Sequence, residues 1–203
     1  MSFPVKTHAD PMQVKAAALL VTGGALVELS AADAREIVGY MAQCLAMAGD
    51  VIVREGDTQH NNFMALVLDG EVTVEGLPTP EHDGMVVSVL GPGSLIGDMG
   101  IIDHSPRSAT CTAATDLALA ILTREAMMQL MADHPAVAAR LLLAMAKRIS
   151  DHLRETNRKL TTLSQVSKAL QQELQAVHSV NLRLLDQISA ATQAEARMQQ
   201  VAQ

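Results

Sequence analysis

Aromatic side chains are almost missing from this chain of 203 residues, which has no Trp, one Tyr and two Phe. A folded core must therefore be built from aliphatic residues and Met, and the hydrophobic fraction of 49% is large enough to supply one. Cysteine is equally scarce, since Cys44 and Cys111 are the only two and lie far apart in sequence. Two distant thiols do not indicate a disulfide framework and favour a reducing compartment, so we expect a cytoplasmic protein.

A basic excess and a membrane-spanning run are also missing. The net charge is −7 and the pI is about 5.4, so the chain gains little from neutralising phosphates, and we expect no DNA partner. The N-terminus has no charged segment followed by an apolar run. The apolar stretch 16–29 contains Gly23 and Gly24 and is too short to cross a bilayer, so we expect no membrane span.

Sequence signatures of catalysis are absent as well. The seven His residues are scattered without the His-x-His pair that favours a metal site on facing strands. The chain has no nucleophile elbow, P-loop or zinc motif. We therefore expect neither a metal site nor an enzyme.

The hydrophobic period changes near residue 50. Before it, we expect a short helix around 14–21 in the N-terminal segment 1–29, and Ser30 and Asp33 resemble a capping box that opens a second helix. After it come short apolar or β-branched runs, closed by Gly or Asp, at 51–53, 64–68, 72–74, 85–90, 110–114 and 117–122. This pattern predicts an α+β fold, with an antiparallel β-roll or jelly roll flanked by short helices at residues 30–135.

Glycine and proline are missing from residue 136 to residue 203, which predicts one long helix there. Alternate steps of four and three residues along this helix meet mostly apolar positions, and this 3.5-residue period is typical of a coiled coil. Asn181 falls at a core position, where two Asn side chains bond each other only in a parallel, in-register pair. The predicted seam is Ile149, Leu153, Leu160, Leu163, Leu170, Leu174, Val177, Asn181, Leu184 and Ile188.

We expect this seam to form a parallel homodimer and the helix to bind a protein partner. A helix folded back on its own domain is the alternative, and apolar residues beside the seam leave room for a higher oligomer. The basic residues nearby are interleaved with acidic ones, which predicts a solvated helix face. They are Lys147, Arg148, Arg154, Arg158 and Lys159.

Segment 93–110 combines glycines, a carboxylate and an arginine within a short distance. Gly97 and Gly100 allow close approach to the backbone, and amides at a helix start favour an anion. The planar guanidinium of Arg107 suits a two-pronged bond to a phosphate, and Asp98 suits a hydroxyl donor. The same residues are also compatible with a surface turn and an ion-paired Arg, so both interpretations stay open on the pattern alone.

The ordered motifs resemble the cyclic-nucleotide-binding domain family, which includes the bacterial catabolite activator and the regulatory subunits of cyclic-AMP-dependent kinase. Residues 96–102 are similar to the phosphate-binding cassette Phe-Gly-Glu-(Leu/Met)-Ala-Leu-Leu, and residues 106–109 to its continuation Pro-Arg-(Ser/Thr/Ala)-Ala. Turns at 53–57, 68–72 and 90–93 also resemble family turns, so the resemblance covers about residues 30–160.

The resemblance implies a ligand and a role for each matching residue. Arg107, Ser108 and backbone amides would bind the cyclic phosphate, Asp98 would accept the ribose 2′-hydroxyl, and the base would lie against the long helix near Leu153. Cyclic AMP is the first expectation, with cyclic GMP or a cyclic dinucleotide as alternatives. The implied ligand-binding set is Gly97, Asp98, Met99, Gly100, Arg107, Ser108, His152 and Thr156.

The sequence thus predicts a non-enzymatic regulatory protein that senses a cyclic nucleotide and signals through a coiled-coil dimer to a partner protein. Asp98 and Gly100 stand where the family has Glu and Ala, which favours an alternative, a nucleotide-free roll that acts as a dimeric scaffold. A DNA-binding regulator is a third class, but residues 160–203 keep the heptads and lack the turn of a helix-turn-helix.

Overall fold

The computed structural model describes residues 11–23, 25–76 and 86–201, and the chain divides into two compact units, 1–150 and 151–203. The helices are α1 (Pro11–Leu20), α2 (Ala31–Val38), α3 (Gly100–Asp103), α4 (Arg124–Asp133) and α5 (Pro135–Val201). The strands are β1 (Ala42–Ala46), β2 (Val51–Val53), β3 (Phe63–Asp69), β4 (Val72–Glu75), β5 (Val86–Leu90), β6 (Leu95–Ile96), β7 (Thr110–Ala113) and β8 (Leu117–Thr123).

The strands form two antiparallel sheets, in the orders β1-β8-β3-β6 and β2-β7-β4-β5. β3 is buried on both faces, because Met64, Leu66 and Leu68 pack with α1, α2, α4 and the start of α5, while Ala65 and Val67 join a second core. The second core lies between the sheets, since it also contains residues of β2, β4 and β7. The predicted α+β fold, a β-roll with short helices and a long C-terminal helix, is confirmed.

The α2 helix begins with the capping box expected from the sequence. The Ser30 hydroxyl accepts a hydrogen bond from the Asp33 amide at 3.1 Å, and the Asp33 carboxylate accepts one from the Ser30 amide at 3.4 Å. The same buried carboxylate binds the Arg140 side chain of α5, with Nε at 3.0 Å and Nη2 at 2.6 Å. The bonds from Arg140 and Ser30 lower the pKa of Asp33 from 3.8 to about 2. One carboxylate therefore caps α2 and ties it to α5.

Replacement of Asp33 by Ala is expected to lower the free energy of unfolding by about 2 kcal/mol, because the change removes a cap and leaves Arg140 without its carboxylate. Because the folded-state pKa of Asp33 lies below 3.8, its contribution is present above about pH 4 and disappears as the pH falls towards 2. Urea titrations at pH 7 and pH 3 measure both effects. The exposed Asp69–Lys15 pair supplies the control, since Asp69→Asn should change stability by less than about 0.5 kcal/mol. Equal effects of the two substitutions at pH 7 would contradict the assignment.

Two strands were not predicted from the sequence. β1 contains no β-branched residue and is largely exposed, yet it pairs with β8 from Ala42 opposite Ile121 to Ala46 opposite Leu117. β6 has only two residues and pairs with β3. Both strands depend on partners distant in sequence, so local residue preferences do not identify them. Met85 of the predicted strand 85–90, and most of the polar residues before it, lie outside the described residues.

α5 is a continuous helix of 67 residues that begins at Pro135, a residue suited to a first helical position. The structure divides the chain into two compact units after residue 150, whereas the sequence predicts domain limits at 29/30 and 135/136. These two limits stay predictions. Within the described ranges, no helix is long and apolar enough to span a membrane.

Most residues of the predicted seam lie in the second unit, and seven of them expose large apolar side chains there. They are Leu153, Leu160, Leu163, Leu170, Leu174, Val177 and Leu184. The side chain of Ile188 is not among those that the structure describes.

The basic residues predicted to form a solvated face of α5 differ in their surroundings. Arg154 and Lys159 form ion pairs along the helix itself, with Asp151 at 2.8 Å and Glu155 at 2.8 Å, as a solvated face would have. The prediction of a solvated face is wrong for Arg148, whose side chain is only 28% exposed and binds a carboxylate of the segment that follows β6. That contact belongs to the site described next.

Candidate functional site

A cavity of about 160 Å³ lies beside the segment that follows β6. Its aliphatic wall comes from both sheets and contains Val53, Val74, Leu90, Leu95, Ile96 and Cys111. Its polar wall comes from the turn after β6, the short helix α3 and the chain that enters β7. The residues of this second wall are Gly97, Asp98, Met99, Gly100, Asp103, Ser105, Pro106, Arg107, Ser108 and Ala109.

Arg107 is the buried cation of this wall, with an exposed fraction of 5%. Its guanidinium donates four hydrogen bonds to backbone carbonyls: Nη1 to Gly97 O at 3.0 Å, Nη2 to Phe63 O at 2.9 Å, and Nη2 and Nε to His60 O at 3.0 and 3.2 Å. The guanidinium carbon also lies 4.6 Å from the centre of the Phe63 ring. A guanidinium has five N–H groups, so one N–H of Nη1 stays outside these bonds.

Burial and nearby charges act in opposite directions on the pKa of Arg107. Burial lowers the pKa of the guanidinium, and the negative charges of Asp57 and Asp98 oppose that shift. An arginine keeps its proton under these conditions, so the wall carries a fixed positive charge. The thiol of Cys111 on β7 is neutral, because burial raises its pKa to about 11. The guanidinium is therefore the positive charge that an anion in the cavity meets, beside the carboxylates of Asp98 and Asp103.

The two glycines of the cassette make room for Arg107. Gly97 has a φ of 74°, in the left-handed region, and a Cβ there would collide with Arg107 Nη1. A Cβ at Gly100 would lie 3.0 Å from the same nitrogen and 3.1 Å from Asn61 O. The sequence predicts that these glycines allow a ligand to approach the backbone, whereas in the structure the group that approaches them is the Arg107 guanidinium.

Asp98 faces the same cavity and binds Arg148 of α5, with Oδ2 at 3.0 Å from Nε. The exposed fractions of the two side chains are only 18% and 28%, so the pair is largely shielded from water. A carboxylate has about four acceptor sites, so Asp98 can accept a hydrogen bond from a hydroxyl in addition to the bond from Arg148. The residue expected to hold a ribose hydroxyl thus already connects the cassette to the long helix.

Six of the eight predicted ligand-binding residues line one cavity: Gly97, Asp98, Met99, Gly100, Arg107 and Ser108. The amides of Met99 and Gly100 stand at the start of α3, where a helix gives them no internal partner. His152 and Thr156 lie on α5 in the unit 151–203, and their contact with a base stays a prediction. Over the described ranges, no three His, Cys, Asp or Glu side chains come together as a metal site.

Residues just before β3 and at its first position hold Arg107, and they were not predicted from the sequence. His60 and Phe63 act through backbone carbonyls, which carry no sequence signal. The Arg107 amide also donates to Asp57 O at 3.1 Å, and the Gly56 amide donates to Arg107 O at 2.9 Å. The Asn61 side chain bonds the loop before Arg107, and a polar residue two positions before an apolar strand was the one available hint.

The comparisons with known proteins agree with this geometry. Residues 45–134 match the model of the cyclic nucleotide-binding domain family. A crystal structure of a cyclic nucleotide-binding domain from Methylobacillus flagellatus KT is similar to this fold, with a TM-score of 0.61, 27% identity, and coverage of 72% of this chain and 81% of that chain. This chain therefore contains a domain of the cyclic nucleotide-binding family, and the resemblance seen in the sequence is confirmed.

Two curated relatives indicate the kind of protein in which such a domain occurs. The chain is 27% identical over 115 residues to a CRP-like cAMP-activated global transcriptional regulator of Mycobacterium tuberculosis, with 57% of this chain and 48% of the relative covered. It is 38% identical over 127 residues to the cyclic AMP receptor protein of Thermus thermophilus, with 63% and 56% covered. The chain therefore spans about half the length of these relatives.

Proposed function

We propose that this protein is a non-enzymatic sensor of a cyclic nucleotide, cyclic AMP first, which signals through the long helix α5. The observation that carries the proposal is the buried guanidinium of Arg107 in the wall of a cavity that Asp98 also lines. A buried cation interacts strongly with a phosphate, because the local dielectric is lower than that of water. The aliphatic residues of the two sheets would pack against the apolar parts of the nucleotide.

Asp98 supports a route from the ligand to α5. A ribose hydroxyl at Asp98 would share or displace the bond from Arg148, which lies 3.0 Å from the carboxylate. The strength of the link between the cassette and α5 would then depend on the ligand. Such coupling requires that ligand affinity differ between a bonded and a broken Asp98–Arg148 pair. Competition of the ligand and Arg148 for the same carboxylate would provide that difference.

The neighbouring contact supports the same route. Lys147, next to Arg148 in α5, forms an ion pair with Glu28, in the connection between α1 and α2. Two adjacent cations thus hold this part of α5 in the first unit: Arg148 binds Asp98 of the cassette, and Lys147 binds Glu28 outside it. We infer that the Asp98–Arg148 bond is the ligand-dependent contact and the Lys147–Glu28 bond the constant one.

We also propose that the seam of α5 pairs two copies of the chain. Leu160, Leu170 and Leu174 expose more than half of their side chains along residues 151–185, and an isolated helix does not keep such a stripe in water. Asn181 at a core position favours the parallel, in-register pair. The proposal includes a partner protein that binds this helix and receives the signal.

One observation favours a second function, a nucleotide-free dimeric scaffold. Four N–H groups of Arg107 already bond carbonyls, and Asp98 already bonds Arg148, so the polar wall is largely satisfied by the protein itself. A ligand competes with these bonds, which lowers its affinity.

Isothermal calorimetry of the full chain with cyclic AMP, cyclic GMP and cyclic di-GMP decides between sensor and scaffold. We expect cyclic AMP to bind with a dissociation constant of about 1–100 µM, weakened by the internal bonds of the wall. Adenosine serves as the control, because it has the base and the ribose without the phosphate, and it should bind at least about tenfold more weakly. No heat with any cyclic nucleotide, together with an unchanged melting temperature, would leave the scaffold.

A further inference from the structure

Asn61 connects the segment before β3 to the end of the cassette helix. Its side chain is buried, with 6% of the residue exposed, and its amide nitrogen donates to His104 O at 2.8 Å and Ser105 O at 3.3 Å. His104 ends α3 in the left-handed region, with a φ of 56°. Two bonds from one amide therefore fix the turn that leads, through Pro106, to Arg107.

The backbone around Asn61 holds the guanidinium itself. His60 O accepts two bonds from Arg107 and Phe63 O accepts a third, so the carbonyls on both sides of Asn61 bind the same side chain. Asn61 O lies 3.1 Å from the position of a Cβ at Gly100, which places it against the start of α3. Segment 60–63 thus contacts the cassette at α3, at the turn after α3 and at Arg107.

We infer that Asn61 is a positioning residue, which sets the place of the Arg107 guanidinium relative to the cassette without touching the ligand. Asn61 is not among the residues that line the cavity, so its effect passes through Arg107. An amide is required, because both bonds run to carbonyl oxygens and only a donor with two N–H groups satisfies both. The inference deepens the proposed function and rests on it.

A purely structural role for Asn61 is the competing explanation, and two measurements separate the roles. If Asn61 acts through Arg107, its loss weakens cyclic AMP and leaves the phosphate-free adenosine unchanged. The loss also has little effect once Arg107 is replaced by Lys, which keeps the charge but cannot make the planar fork. A structural role would weaken both ligands and would persist in the Arg107→Lys background.

The test uses Asn61→Leu, which has a similar volume and no donor, in the wild-type and Arg107→Lys backgrounds. We expect cyclic AMP affinity to fall about tenfold in the first background and by less than about twofold in the second, while adenosine changes by less than about twofold in both. Asn62→Ala is the control, because the side chain of this neighbouring Asn bonds Glu125 of α4. It should bind cyclic AMP like the wild type.

A measurement without ligand tests the positioning role of Asn61 separately from the proposed binding of a cyclic nucleotide. The Arg107 Nε–H resonance, assigned by its loss in Arg107→Lys, should shift in Asn61→Leu and stay in place in Asn62→Ala. No binding of cyclic AMP by the wild type would overturn the proposed function and the affinity part of the inference. An unshifted Nε–H resonance in Asn61→Leu would overturn the positioning role alone, as would wild-type affinity of a folded Asn61→Leu chain.

Discussion

Replacement of Arg107 by Gln is expected to weaken cyclic AMP binding by about a hundredfold. The substitution removes the buried cation of the cavity wall, and a phosphate there would then lack its charge-assisted bonds. Glutamine keeps two N–H donors for the surrounding carbonyls, so the fold is disturbed less than by Ala. Calorimetry at 25 °C measures the loss, and circular dichroism verifies that the variant is folded.

The control for this experiment is Arg54→Gln, because Arg54 is an exposed arginine in the turn that also holds Arg107 through Gly56 and Asp57. It should bind cyclic AMP within about twofold of the wild type. Arg107→Lys should fall between the two, since it keeps the charge and loses the planar fork. A folded Arg107→Gln chain that binds within threefold of the wild type would disprove the phosphate role of Arg107.

Introduction of two lysines into the seam, Leu163→Lys with Leu170→Lys, is expected to convert a dimer into a monomer. Four lysines would meet in the interface of a parallel pair, and a core of like charges does not form a coiled coil. Sedimentation equilibrium should give a mass near that of one chain, 21.6 kDa, where the wild type gives that of two.

The matched control places the same charges on the outer face, as Gln165→Lys with Gln172→Lys, two positions on the side of the heptad opposite the seam. This variant should keep the mass of two chains. A wild-type chain that sediments as a monomer at 50 µM would contradict the pairing, and so would a seam variant that keeps the wild-type mass. A mass of three or four chains would assign the apolar residues beside the seam, Val166, Val180 and Leu185, to a larger bundle.

The parts of the fold with local signals were predictable from the sequence. The capping box at Ser30 and Asp33, the turns that end the strands and the missing helix breakers after Pro135 depend on neighbouring residues. β1 was not predictable, because it has no β-branched residue and forms by pairing with β8, which lies about 70 residues later in the chain. Strand identity here is a property of the pair of strands rather than of one segment.

The site also combines features with a local sequence signal and features that depend on distant residues. The positions of Arg107, Asp98 and Gly97 along one cassette were predictable, because the motif is continuous in sequence. Their partners were not, since Asn61 acts on carbonyls 43 and 44 residues away and Arg148 reaches Asp98 from 50 residues away. The sequence shows which groups can bind a ligand, and the structure adds which protein atoms compete with that ligand for them.

The crowding around Gly100 limits which side chains this position of the cassette accepts. The family pattern has Ala at this position, and a Cβ added to Gly100 would meet Arg107 Nη1 at 3.0 Å and Asn61 O at 3.1 Å. An exchange to Ala therefore requires Arg107 or the backbone at Asn61 to shift by a few tenths of an ångström. The room at position 100 is thus set jointly by Arg107 and Asn61, so we expect Gly100→Ala to be accepted only together with a small shift of one of these two neighbours.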